Sequence, residues 1–561
     1  MNHLHRYWYS FSFVGLVVAT LFFAVSVSPS LLPRPLVVQG ILSGFAIALG
    51  YSLGVLLVLC YQFLEFPNAS EKVQRIVRLS STIVVAFVFV GFVWRMTYWQ
   101  NSIRDRMEMP ILETAYPYRM AAIALAFGCI LIAITRLVIN VCVWTATRLN
   151  YVMPWRVSIV LSALIIGVLS VFIGNGLIAR GLLIAADTFF LYADEQIDEG
   201  IEQPTDPMAT GSDPSLIPWD TIGRRGKQFI AAAPTKEAIG EFSGREALRP
   251  IRVYAGMRSA DSPRERAALA LQELKRVNAF ERSLLVIATP TGTGWLDPGA
   301  VDTIEYLHGG DTAIVTEQYS YLPSWITILV DPRRSIESAE ALFSTVYAYW
   351  KTLAKDSRPK LYLHGLSLGS LGGEVSADLL TTFEDPVQGA LWSGPPFPSS
   401  QWQRLVSHRD PDSTVSLPKV GSGRTIRFTS QKNALDTGDA WGPMRIVYIQ
   451  YASDPMVFFS PSLLYDKPKW LDGTRGPDVS PYLTWYPLIT FLQVAFDLPM
   501  ATSVPMGFGH NYAAVNYIDG WVAVTDPQEV DGAKIEELKT RFAAKRLVNG
   551  VVRHTRKFGS R

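Results

Sequence analysis

The first third of the chain is a succession of long apolar runs. They cover Phe11–Val27, Leu36–Leu64, Leu79–Trp94, Met120–Thr135 and Val157–Leu177. A helix that crosses a bilayer needs about 20 mostly apolar residues, so the pattern predicts five membrane-spanning helices. Arg136 interrupts the fourth run near its end, where a long side chain can snorkel to the interface. Trp8, Tyr9, Trp94, Tyr98, Trp99 and Trp144 fall near run ends, as interfacial aromatic residues do. The first run could be a cleaved signal peptide, but only Arg6, His3 and His5 precede it, so a retained helix is expected.

From about Arg249 the pattern changes to short apolar strands alternating with helices. Strands are predicted at Ile251–Tyr254, Leu284–Thr289, Thr312–Thr316, Ile326–Val330, Leu361–His364, Ala390–Ser393 and Ile446–Tyr451. Helices are predicted at Pro263–Val277, Ile336–Leu353 and Leu368–Leu380. Such alternation predicts a mostly parallel sheet with helices on both faces. Residues 394–443 are irregular and rich in Pro, Gly and Ser, which predicts a lid-like insertion. Between the two patterns, Asp187 to Asp213 carries eight acids and no Lys or Arg, followed by helix-breaking Pro204, Pro207, Gly211 and Pro214. Residues 1–186 therefore read as a transmembrane helical domain, 187–248 as an acidic connector, and 249–561 as a separate α/β domain.

Charge sharpens this division. The net charge of +2 separates into +7 for residues 1–190 and −5 for residues 191–561. The large α/β part is thus acidic, without a long basic run, and no nucleic-acid partner is expected. Cys60, Cys129 and Cys142 all lie in apolar runs, which excludes a disulfide scaffold or thiolate zinc site in residues 191–561. Counting Lys and Arg beside the five runs gives seven against six in favour of an inside N-terminus. Five crossings then place the α/β domain outside the cytoplasm.

The chemistry concentrates in Lys360-Leu-Tyr-Leu-His-Gly-Leu-Ser-Leu-Gly369. It contains a G-x-S-x-G, with an apolar strand entering and a helix leaving. That context makes Ser367 a candidate nucleophile, held on a strained turn that exposes its hydroxyl. Gly365 and Gly369 are needed because side chains there would strike the neighbouring strand and helix. A glycine-rich turn in which Ser367 only caps the helix is the plainer alternative.

A serine hydroxyl needs a base. Among seven histidines, His510 in Gly507-Phe-Gly-His-Asn-Tyr512 lies on a late glycine-flanked loop and is the best placed. His364 is expected to pack, His308 precedes the serine, His408 sits in the insertion and His554 in a basic tail. The base needs an orienting carboxylate. Asp454 directly follows a predicted strand and is favoured over Asp331, Asp436, Asp439 and Asp466. Backbone N–H groups of Leu368 and of Thr291 or Gly292 would supply an oxyanion hole, since Pro290 has none. The loop Pro290–Gly294 lacks the Gly-Lys-Ser/Thr ending of a phosphate loop, and no metal or dinucleotide motif occurs, so no metal and no cofactor are expected.

The chain resembles the bacterial membrane-anchored α/β-hydrolases that pair an N-terminal multi-span domain with a C-terminal catalytic domain. The resemblance rests on the five-run opening, Thr289-Pro-Thr-Gly-Thr-Gly-Trp295, His364-Gly-Leu-Ser-Leu-Gly369, Ser453-Asp-Pro455 and Gly507-Phe-Gly-His-Asn511. The order Ser367, Asp454, His510 matches the α/β-hydrolase order. The resemblance implies a serine hydrolase at the plasma membrane. A lipid-like or acylated ester is the favoured substrate, given the tether and the aromatic residues Trp295, Trp325, Trp392, Trp441 and Trp485. An acyltransferase with the same triad, a non-catalytic sensing or docking module, and a transporter with an accessory domain are the competing readings. Apart from Arg136 the runs carry few charges, which weighs against transport.

Overall fold

The computed structural model describes residues 11–544 except 68, 173–178 and 378–382. Arg6, Trp8, Tyr9, His3, His5 and His554, and the expected helix ends at Leu177 and Leu380, lie outside the described residues. The chain forms two compact units. One comprises Met1–Ala185 and Phe459–Pro505, the other Ala186–Phe458 and Met506–Arg561.

The first unit is helical, with Phe13–Ser26, Leu36–Phe63, Glu71–Arg106, Pro117–Leu149 and Trp155–Val171. Among the described residues three of these are long and apolar enough to cross a membrane: Leu36–Phe63, Glu71–Arg106 and Pro117–Leu149. Three of the five expected spans are thus supported by length and composition, and the other two runs form shorter apolar helices. Within the described residues Phe13–Ser26 has 14 residues and Trp155–Val171 has 17, the rest of the fifth run lying outside them. The long helices turn Leu56, Phe63, Phe87 and Trp94 outward. An apolar surface of that extent suits lipid rather than water.

Residues 459–505 were expected within the α/β domain, yet they group with the N-terminal helices. Buried polar bonds explain why. Asp497, on the helix Ile489–Asp497, accepts hydrogen bonds from Ser30 Oγ at 2.5 Å, Leu31 N at 3.2 Å and Leu32 N at 3.4 Å. It also faces the buried Arg34 guanidinium at 3.7 Å. Gln493 Nε2 donates to the carbonyls of Ser26 and Ser28 at 3.2 and 3.0 Å. A buried backbone carbonyl or carboxylate must be paired, and these partners come from segments more than 450 residues apart.

The second unit holds a seven-stranded parallel sheet. Its strands are β1 (Ile251–Ala255), β2 (Leu284–Thr289), β3 (Thr312–Glu317), β4 (Lys360–Leu366), β5 (Gly389–Ser393), β6 (Ile426–Thr429) and β7 (Arg445–Ile449). Their order is β1-β3-β2-β4-β5-β7-β6. The strands are buried nearly throughout, because helices cover both faces. The chain steps from β3, on one side of β2, to β4 on the other. Their carboxyl ends therefore border the crevice where such sheets bind ligands.

The reading of three segments changes here. Residues Ile326–Val330 are not a strand but the greater part of a helix, Ser324–Val330. A short apolar run does not by itself distinguish the two. The insertion 394–443 is also more ordered than a lid of loops. It contains the helix Ser400–Ser407 and strand β6, whose partner is β7. The acidic connector is likewise folded. It carries helices Arg224–Ala231 and Lys236–Ser243, and its Asp198 and Asp206 pair with Arg224 and Arg249.

Candidate active site

Ser367 stands between β4 and the helix Leu368–Ser376, with φ 59° and ψ −126°. A non-glycine residue in that region costs about 1–3 kcal/mol and persists only when its surroundings enforce it. Here Ser367 N–H donates to Ser393 O at 2.9 Å, and Ser370 Oγ donates back to Ser367 O at 2.7 Å. The flanking glycines allow the turn to close. A Cβ on Gly365 would strike the backbone of Gly369, and one on Gly369 would strike Thr289 O at the end of β2. Ser367 Oγ is buried and has no hydrogen-bond partner among the described residues.

His510 reaches the same place from a distant loop. Ser367 bonds to Ser393, and a Cβ on the next residue, Gly394, would lie 2.5 Å from His510 Cε1. His510 Nδ1 and Asp454 Oδ2 are 2.7 Å apart. Asp454, on the turn after β7, is fully buried. Its Oδ1 accepts the Met456 N–H at 2.8 Å, and Ser453 Oγ accepts the Gly509 N–H at 2.9 Å, which fixes the histidine loop. The Nδ1 contact to a carboxylate assigns the ring proton to Nδ1 and leaves Nε2 with a free lone pair. His510 Nε2 is buried and, like Ser367 Oγ, unpartnered among the described residues. No hydrogen bond joins the two atoms in this structure, as is common before a substrate draws them together.

One contributor escaped the sequence reading. Tyr512 Oη donates to Asp454 Oδ2 at 2.7 Å. Burial and the adjacent carboxylate push the Tyr512 hydroxyl well above its ordinary value, so it stays a donor. Its only signal in the sequence was its position two residues after the histidine.

The other histidines are placed elsewhere. His364 lies in β4 with Nδ1 2.8 Å from Leu391 O, and burial lowers it to about 4. His308 Nε2 is 2.8 Å from Thr525 Oγ1 and is also lowered by burial to about 4. His408 Nδ1 is 2.9 Å from Arg404 O at the end of its helix. Asp331 pairs with Arg334 at 3.1 Å rather than with a histidine, and Asp466 belongs to the first unit.

The expected oxyanion donors are only partly available. Leu368 N–H opens its helix, where the first amides have no intrahelical acceptor. Thr291 N–H, however, closes its own turn onto Trp295 O at 2.9 Å. Gly292 N–H donates to Ser324 Oγ at 2.9 Å. Each of these amides thus has a protein acceptor in this structure, one within the loop and one on the helix Ser324–Val330.

Behind the serine, the helix Leu368–Ser376 carries the buried Glu374, bonded to Ser399 Oγ. Burial raises this carboxyl from 4.5 to about 8. The folded protein therefore holds a proton there that the unfolded chain releases above pH 4.5. Folding stability is expected to fall as pH rises from 4.5 towards 8, and Glu374→Gln should flatten that slope in thermal melts.

Among the described residues no group of His, Cys, Asp or Glu could hold a metal ion. The family model described as "Alpha/beta-hydrolase family" matches residues 251–538, more than half of the chain. A second, "Alpha/beta-hydrolase family N-terminus", matches residues 27–234. No curated protein and no solved structure matches the chain.

Proposed function

The chain belongs to the alpha/beta-hydrolase family, and on that premise we propose that it is a membrane-bound serine hydrolase acting on an ester. The observation that carries this reading is the strained Ser367, whose buried, unpartnered Oγ shares the Ser393–Gly394 corner with an unpartnered His510 Nε2. Unpaired buried polar atoms are costly, and two of them at one corner fit a site built for a reacting group.

In this mechanism His510 Nε2 takes the proton of Ser367 as its Oγ attacks the acyl carbon. Asp454 holds the ring and supports the imidazolium that forms. The alcohol leaves with that proton, and water then attacks the acyl-enzyme by the same route. Tyr512 and the Met456 N–H hold the Asp454 carboxylate in place. The substrate is a lipid-like or acylated ester. The helix Ser324–Val330, bonded to the Gly292 loop, leaves Trp325, Leu329 and Val330 exposed, an apolar flank suited to an acyl chain. With five crossings and an inside N-terminus, the hydrolase unit lies outside the cytoplasm.

The test is fluorophosphonate labelling and ester turnover by the detergent-solubilised chain. Wild type should label, and His510→Ala should not. Asp454→Asn keeps the shape but reverses the ring's proton preference, so kcat should fall about 10⁴-fold. Labelling of His510→Ala at the wild-type rate would remove the histidine from the mechanism. Release of acid alone in the presence of added alcohol identifies a hydrolase; appearance of a new ester identifies a transferase.

A further inference from the structure

We propose that the side-chain hydroxyl of Ser324 is the second oxyanion donor, completing a hole whose first donor is Leu368 N–H. The inference rests on the reading of Ser367 as nucleophile and adds a catalytic residue to it. It starts from the loop after β2. Thr291 N–H is spent on Trp295 O and Gly292 N–H on Ser324 Oγ, each at 2.9 Å. The loop that should present amides to the substrate instead presents one of them to a hydroxyl.

That hydroxyl is half used. Ser324 Oγ accepts the Gly292 N–H, and among the described residues nothing accepts the hydrogen of Ser324 in turn. A hydroxyl has one proton to give and two lone pairs, so its donor capacity is open. Accepting a hydrogen bond also polarises the O–H and makes it a stronger donor. Ser324 is only partly buried, which leaves it reachable.

Its placement is enforced. A Cβ on Gly292 would lie 2.5 Å from Leu322 O and 2.8 Å from Ser324 N, so the two segments are in direct backbone contact. The same stretch of chain, eleven residues on, is tied to the other side of the hole: Ser335 Oγ donates to Leu368 O at 2.5 Å. Residues 324–335 thus strap together the two segments from which the donors must come. Pro323 precedes the serine and stiffens the backbone that carries it.

The step balances without any further reagent. The Ser367 Oγ–carbon bond forms, the carbonyl π pair moves onto its oxygen, and the Ser367 proton goes to His510 Nε2. Ser324 donates a hydrogen bond to that oxygen and keeps its proton. Collapse restores the carbonyl and expels the alcohol, which takes the proton from His510.

The experiment compares wild type, Ser324→Ala and Ser324→Thr on a p-nitrophenyl butyrate substrate, with a trifluoromethyl ketone as mimic of the tetrahedral adduct. Loss of one oxyanion donor lowers kcat about 10²- to 10³-fold. Ser324→Ala should show that loss with KM changed less than about threefold, because the donor acts on charge that develops after binding. Ketone affinity should fall in step with kcat/KM, and Ser324→Thr, which keeps the hydroxyl, should recover most of both. Fluorophosphonate should still label Ser367 of Ser324→Ala to completion, only more slowly. Should that variant not fold, Ser324→Cys, a weak donor of similar size, carries the same expectation.

Turnover by Ser324→Ala equal to or above wild type would overturn the inference and make the hydroxyl a block on Gly292. A fall in kcat with unchanged ketone affinity would overturn it too, because the serine would then be structural. A wild type that neither turns over nor labels would overturn the serine-hydrolase reading itself, and this inference with it.

Discussion

Ester turnover by Ser367→Ala is expected to fall by at least about 10⁴-fold, with fluorophosphonate labelling abolished and folding preserved. The loss is large because members of such a triad act as one unit: without the nucleophile the base has no proton to take and the carboxylate no imidazolium to support. What remains comes from the oxyanion hole and binding alone. Folding should survive, because Ser367 Oγ makes no hydrogen bond among the described residues whose loss could destabilise the turn. The positive φ is shared by serine and alanine alike, and Ser367 N–H keeps its bond to Ser393 O. Removing an unpaired buried hydroxyl should even raise the melting temperature slightly. A fall in turnover accompanied by a comparable fall in stability would indicate that the hydroxyl is structural.

Asp497→Ala is expected to lower the stability of the helical unit by about 3–5 kcal/mol, the usual consequence of leaving a buried partner charge uncompensated. Arg34 would lose its carboxylate, and Ser30 Oγ and the Leu31 and Leu32 amides would lose their acceptor. Thermal unfolding in detergent measures the change. Replacing both charges, as Arg34→Met with Asp497→Leu, should recover much of it, since an apolar pair of similar volume often serves as well as a buried ion pair. The effect on catalysis is a separate readout. Asp454 and His510 flank the 459–505 excursion in the sequence, and both belong to the second unit. Their 2.7 Å contact is local, and Asp497→Ala should reduce the amount of folded enzyme more than kcat.

Much of the site was legible in the chain because its constraints are local. The steric demand of the turn writes Gly365, Ser367 and Gly369 into five consecutive residues, and the apolar runs on either side announce strand and helix. Asp454 and His510 were legible by order along the chain and by the strand or glycine-flanked loop beside each. Six of the seven observed strands were legible for the same reason. Strand β6 was not, since only four residues pair with β7 and the flanking Gly and Ser mask them. The run Ile326–Val330 looked like a strand because its β-branched residues favour one, and propensity is a weak prior against context.

The sequence by itself determined the class of each half, the turn that carries Ser367 and the order of the three candidate site residues, since periodicity and glycine sterics act over a few neighbours. Only the tertiary structure decided which amides remain free. Thr291 N–H and Gly292 N–H look equally available along the chain, and their acceptors, Trp295 O and Ser324 Oγ, are set by how the loop folds on itself and on a strap some thirty residues away. It also decided that Phe459–Pro505 joins the helical unit, because Asp497 and Gln493 find their partners among residues 26–34. Hydrogen bonds between distant segments leave no period in the sequence; they exist only once the chain has brought both ends together.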